Sequence, residues 1–211
     1  DAGEVDDPHG PAVELELHRR LGRMLICGHA GQALDLGADL TALDQDDVPE
    51  RVAATSRLKT GSFMGLAAAV GAIAAEAEDE IVDAVERFGL ALGDVLQMLD
   101  DLGNLVGRRE GAKRYEDLLH RRATWPWAWY AEVASRDERN ESQRRLAEIG
   151  AGAESPDDLG VLWLERVGLL RRQRVNRLLS RALEDLRGTT GPHPLLTKVR
   201  AEMDRLEKSY V

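Results

Sequence analysis

Apolar residues recur at the helical period almost from the start of the chain. Leu15, Leu17, Leu21, Leu25, Cys27 and Leu34 mark a first helix over about 12–40. "TALDQDDVPE" interrupts it, with Asp47 placed to cap a second helix and Pro49 in the first turn of that helix. The second helix runs to about residue 76, rich in alanine and carrying Gly61, Gly65 and Gly71, whose small size permits a neighbouring helix to come close. A third long helix spans about 79–105. After a short irregular segment come the aromatic stretch "ATWPWAWYAEVASR" and a helix near 138–149. "GAGAESPDDLG" reads as a turn leading into a long helix to about residue 186; "GTTGPHP" breaks it, and a terminal helix follows. Residues 1–11 are acidic, contain glycine and proline, and read as a loop. No strand-like alternation persists and no repeat is evident. The pattern predicts an all-α fold, a bundle of long helices in a single domain over 1–211.

Composition sharpens this. Hydrophobic residues make up 43% of the 211 positions and aromatics only 4%, which suits packed helices better than sheets. The formal net charge of −10 argues against a nucleic-acid partner, which needs a dominant basic surface. The basic run "LLRRQRVNRLLSR" is interleaved with leucine and valine, so it reads as an amphipathic helix with a solvated basic face. Cys27 is the only cysteine, which rules out an intrachain disulfide and fits a reducing compartment. The uncharged run "TGSFMGLAAAVGAIAA" is shorter than the roughly 18–20 residues of a membrane span. The expectation is a soluble, cytoplasmic protein without a membrane span.

Candidate chemistry lies in "LGDVLQMLDDLGNLVG", residues 92–107. At 100° per residue, Gln97, Asp100, Asp101 and Asn104 share one arc of the third helix, among Leu92, Val95, Met98, Leu99, Leu102 and Leu105. Buried carboxylates without partners cost free energy, so this stripe either faces water or holds something positive. The pair by itself carries little signal: Asp-Asp also occurs at 6–7, 46–47 and 157–158, where acids at helix starts and in loops are ordinary. Only the pair at 100–101 lies deep in an apolar helix. Gln32, Asp35 and Asp39 form a second polar arc on the first helix, and Lys59-Thr60 lies between the two in sequence. Carboxylate oxygens favour a hard cation such as Mg²⁺, which binds through one or two carboxylates plus substrate phosphates, and a nearby lysine suits a phosphate.

These segments resemble a known family. "KTGSF" at 59–63 and "FGLALGDVLQMLDDLGN" at 88–104 resemble the Lys-Thr element and the second aspartate-rich motif of trans-isoprenyl diphosphate synthases, the polyprenyl synthetase family. "GHAGQALDLGAD" resembles the family's Gly-Gln-x-x-Asp helix, and "GAKRYEDLLHRRATWPW" is a weaker echo of its Gly-Lys, Asp-Leu and Thr-Leu-Pro elements. The four blocks follow family order over about 28–126. The resemblance implies an isoprenoid-synthase-like bundle lacking its N-terminal helices, roughly the C-terminal two-thirds of a synthase. It implies prenyl transfer: Mg²⁺-assisted ionisation of an allylic diphosphate and its condensation with isopentenyl diphosphate. It implies that Asp100, Asp101 and Asn104 hold Mg²⁺. Lys59, Thr60 and Gln97 would act at the reacting diphosphate, and Gln32, Asp35 and Lys113 would contact substrate. A homo- or heterodimer is implied as well.

The departures from the family pattern define the alternatives. Asn104 stands where a third aspartate is expected, Leu96 replaces a phenylalanine, and Ala112 separates Lys113 from the glycine that should directly precede it. The first aspartate-rich motif is not found in the chain. A non-catalytic partner subunit and a terpene cyclase on the same fold therefore stand beside the synthase. "TWPWAWY" reads as core or interface packing rather than a ligand site.

Overall fold

The computed structural model describes residues 10–37, 39–107 and 114–210. Among the described residues the only regular structure is helical, as the periodicity predicts. The helices are α1 (Gly10–Leu36), α2 (Val48–Ser56), α3 (Ser62–Ala74), α4 (Asp79–Val106), α5 (Glu116–Leu119), α6 (Trp125–Val133), α7 (Arg136–Gly150), α8 (Asp157–Thr190) and α9 (Pro194–Tyr210).

Five local readings are corrected. The first helix stops at Leu36, four residues early. Leu40 is drawn out of line into the core, its N–H bonded to the Arg121 carbonyl at 2.8 Å. Asp47 precedes α2 but its side chain makes no capping bond; proline in the first turn sets the start of the helix. The helix expected from 47 to 76 is two helices joined by a π-helical turn, Arg57–Gly61. The irregular segment after α4 contains the short helix α5. The helix near 138–149 starts two residues earlier, because Ser135 and Glu138 form a reciprocal capping box.

α4 has the most buried residues of any described helix, Val95, Met98, Leu99, Leu102 and Leu105 among them. It packs against α8 and α6, whose Trp163, Val167, Trp127 and Tyr130 belong to the same buried core. The Trp127 and Trp163 rings lie 4.8 Å apart by centroids. Burying roughly 150–250 Å² of aromatic surface at about 25 cal/mol per Å² contributes about 4–6 kcal/mol per ring, so the aromatic stretch anchors the bundle as core. Trp125, at its start, instead reaches a cleft. The basic run on α8 buries Val175 and Leu179 and exposes Arg172, Arg174 and Arg177, as its alternation predicts. Among the described residues no helix is long and apolar enough to cross a membrane. α1 crosses α3 and the π turn, leaving Ile26 and Leu36 each 73% exposed.

Candidate functional site

α1, α2, the π turn and α4 converge on one cleft, a cavity of about 110 Å³, and α5 with the segment leading into α6 closes its far wall. Asp35 comes from α1, Lys59 from the π turn, Gln97, Asp100 and Asp101 from α4, and Asp117 from α5; Arg122 and Trp125 follow. α1 reaches the turn closely because residue 31 is glycine: a Cβ there would lie 2.7 Å from the Lys59 backbone nitrogen.

The predicted residues are joined by hydrogen bonds. The Lys59 ammonium donates to Asp35 Oδ2 at 2.6 Å, and Lys59 keeps 37% of its side chain exposed. The Thr60 hydroxyl donates to Gln97 Oε1 at 2.6 Å, and Gln97 Nε2 donates to Asp101 Oδ1 at 2.7 Å. The backbone N–H of Trp125, first residue of α6, donates to Asp101 Oδ2 at 2.9 Å. The adjacent acids therefore live differently: Asp100 is exposed, while Asp101 is buried with both oxygens engaged, ordering the start of α6.

Other candidates lie elsewhere. Gln32 is exposed on α1 and is not among the residues that line the cleft. Asp39 leaves the polar arc because α1 has ended; it accepts from Thr41 N–H and Oγ1 and pairs with Arg121 at 3.0 Å. Asn104 Oδ1 accepts the Asp117 N–H at 3.2 Å, and its carbonyl accepts the Tyr115 N–H at 2.9 Å. The residue at the third position of the motif thus holds the segment that brings Asp117 into the cleft. Lys113 lies outside the described residues.

Asp117, Arg122 and Trp125 were not singled out from the sequence. The available signal was the Asp-Leu element in "YEDLLHRRATW", which did not by itself show that this stretch folds back onto α4. Asp117 pairs with Arg122 at 3.5 Å. Burial, then the charge of Asp117, pushes the Asp101 carboxyl up to about 8, against the stabilising Trp125 and Gln97 bonds. Burial also pushes Asp117 up to about 6; Arg122 opposes this, while Asp100, Glu116 and Asp35 add to it.

The donor set fits Mg²⁺. Four carboxylates and two cations, Lys59 and Arg122, line the cleft among the described residues, and carboxylate oxygens are the ligands a hard cation takes. Among the described residues no three His, Cys, Asp or Glu groups form a metal cage of their own.

A helical bundle whose cleft sets acids against a lysine on a π turn defines the class. Residues 12–158 match the polyprenyl synthetase family, and the chain belongs to it. It is 29% identical over 161 residues to (2E,6E)-farnesyl diphosphate synthase of Mycobacterium tuberculosis, covering 75% of this chain and 43% of that protein. It is 37% identical over 93 residues to geranylgeranyl diphosphate synthase of M. tuberculosis, covering 43% of this chain and 25% of that protein. The chain thus spans less than half the length of these relatives. In fold it is similar to a polyprenyl synthetase from Streptomyces coelicolor, with a TM-score of 0.73 and 20% identity over 94% of this chain and 60% of that one. A decaprenyl diphosphate synthase from Rhodobacter capsulatus gives a TM-score of 0.69 and 22% identity over 93% and 60%.

Proposed function

We propose that the cleft binds the diphosphate of an isoprenoid substrate with Mg²⁺ and serves prenyl transfer, together with groups that this chain does not carry. The observation that carries the reading is the convergence of Lys59, Asp100, Asp101 and Asp117 on one cavity between family-matched helices. Asp100, exposed and unencumbered by the α6 contact, would be the first ligand for Mg²⁺, with the Asp101 and Asp117 carboxyls lining the same cavity. Bound there, the ion neutralises charge on the departing diphosphate and orients it. Lys59 gives an ammonium to diphosphate oxygens when its bond to Asp35 opens. Gln97 fixes Asp101 from one side and is itself fixed by Thr60, so the α4 carboxylates hold their place before substrate arrives.

Titration of Mg²⁺ and inorganic diphosphate tests the site, with Asp100→Ala and Lys59→Ala as controls. Incubation with an allylic diphosphate alone, then with isopentenyl diphosphate added, separates a cyclase from a synthase. A partner subunit binds without turnover. With no first aspartate-rich motif in the chain, binding without condensation is the expected result for these 211 residues alone. The exposed apolar residues of α1 and α3, Ile26, Leu36 and Phe63 among them, support assembly as a homo- or heterodimer, which a mass measurement in solution tests.

A further inference from the structure

The buried row on α2 and α3 reads Val48, Val52, Ser56, then Gly61, Gly65, Ala69. Each step is four residues except that from Ser56 to Gly61, which is five, and the π turn is that extra residue. The cause lies on α4. A Cβ on Gly93 would sit 2.7 Å from both Gly61 Cα and the Thr60 carbonyl oxygen. Without the inserted residue, Thr60 would occupy the row opposite Gly93, where a β-branched side chain has no room. The insertion places Gly61 there and leaves Thr60 to meet Gln97 and Lys59 to meet Asp35. Single π turns inside α-helices are rare and frequently sit at functional sites, and an uncommon local conformation persists where the surroundings support it.

Asp94 gives that support. It accepts the Ser56 hydroxyl at 3.2 Å and Arg57 Nη1 at 3.0 Å, at the two residues where the row breaks step. Its Oδ1 also lies 3.2 Å from where a Cβ on Gly61 would be, so the carboxylate spans both ends of the turn. Asp94 is not among the residues lining the cleft. Burial pushes its carboxyl up, against the opposing bonds from Arg57 and Ser56, so it sits there at a cost. We propose that Asp94 is a positioning residue for diphosphate binding: it clamps the start of the π turn so that Lys59 and Thr60 face the cleft.

The inference rests on the diphosphate reading, and its test distinguishes the two. D94N keeps the side chain's shape and removes the charge that holds Arg57. Inorganic diphosphate with Mg²⁺ is expected to bind D94N about tenfold more weakly than the parent, and R57Q similarly, with both proteins fully folded by urea titration. In a K59A background the same D94N change should cost less than about twofold, because Asp94 acts through Lys59 and its neighbour. Amide exchange gives the second readout. The Ser62 N–H, which bonds the Arg57 carbonyl across the turn, should exchange about tenfold faster in D94N while the last turns of α4 stay unchanged. Parental affinity in D94N, or a full tenfold loss in the K59A background, overturns the proposal. If the parent binds no diphosphate, the functional reading falls and exchange alone decides the clamp: unchanged exchange at Ser62 overturns it, and faster exchange there upholds it.

Discussion

Gly93→Ala puts a methyl carbon 2.7 Å from Gly61 Cα and the Thr60 carbonyl oxygen, and 2.9 Å from the Gly61 nitrogen. Ordinary carbon contacts lie at about 3.5–4.0 Å, so α4 and the π turn must part by roughly 1 Å. All three crowded atoms are backbone, and none can rotate away. Overpacking of a tight core costs about 1–3 kcal/mol, and a backbone clash belongs at the upper end. Alanine returns roughly 0.8–1 kcal/mol of helix propensity, leaving a net loss of about 2 kcal/mol. Gly71→Ala is the control. It lies on α3, and a Cβ there meets no atom within 4 Å, so only the propensity gain of up to about 1 kcal/mol operates. Urea titration of both variants should place them about 3 kcal/mol apart, on opposite sides of the parent. G93A should also weaken Mg²⁺-diphosphate binding, since Lys59 and Thr60 ride on the displaced turn. A G93A midpoint within about 0.5 kcal/mol of the parent would refute the close-approach argument.

Asp100→Ala should weaken Mg²⁺-diphosphate binding by about 10- to 100-fold, the worth of one charged contact; Asn104→Ala should weaken it less and instead cost about 1 kcal/mol of stability, through loss of the bond to the Asp117 N–H. Calorimetry and urea titration measure the two effects separately. Without metal, burial holds the Asp101 carboxyl up to about 8 in the folded chain, above its usual value of about 3.9, so the folded state holds the proton more tightly. Stability from this group is present at low pH and falls as pH rises from about 4 towards about 8; D101N should reduce the slope in urea midpoints taken at several pH values, and the raised Asp117 carboxyl leaves a remainder. Ser135→Ala should cost about 1 kcal/mol by opening the capping box at the start of α7, with diphosphate affinity unchanged.

Local periodicity determined much of this protein. The helices announce themselves because a stripe of leucines every three or four residues needs only short-range order to be read, and α4 and α8 follow it closely. The polar stripe of α4, with Lys59 and Asp35, was legible as a candidate site through the resemblance of its motifs to the family, and the structure brings Lys59, Asp35, Gln97, Asp100 and Asp101 to one cleft. Tertiary structure decided the rest. The π turn exists because α4 comes too close to leave room for Thr60, a contact between residues 33 apart in sequence. Asp117 and Arg122 reach the cleft because Asn104 holds the returning chain, and they lie on a short helix and loop with no period of their own. Asp100 and Asp101, identical neighbours in the sequence, part company for the same reason. One points to solvent and the other is sealed under the first turn of α6, and burial is a property of what packs above a residue, which no local pattern contains.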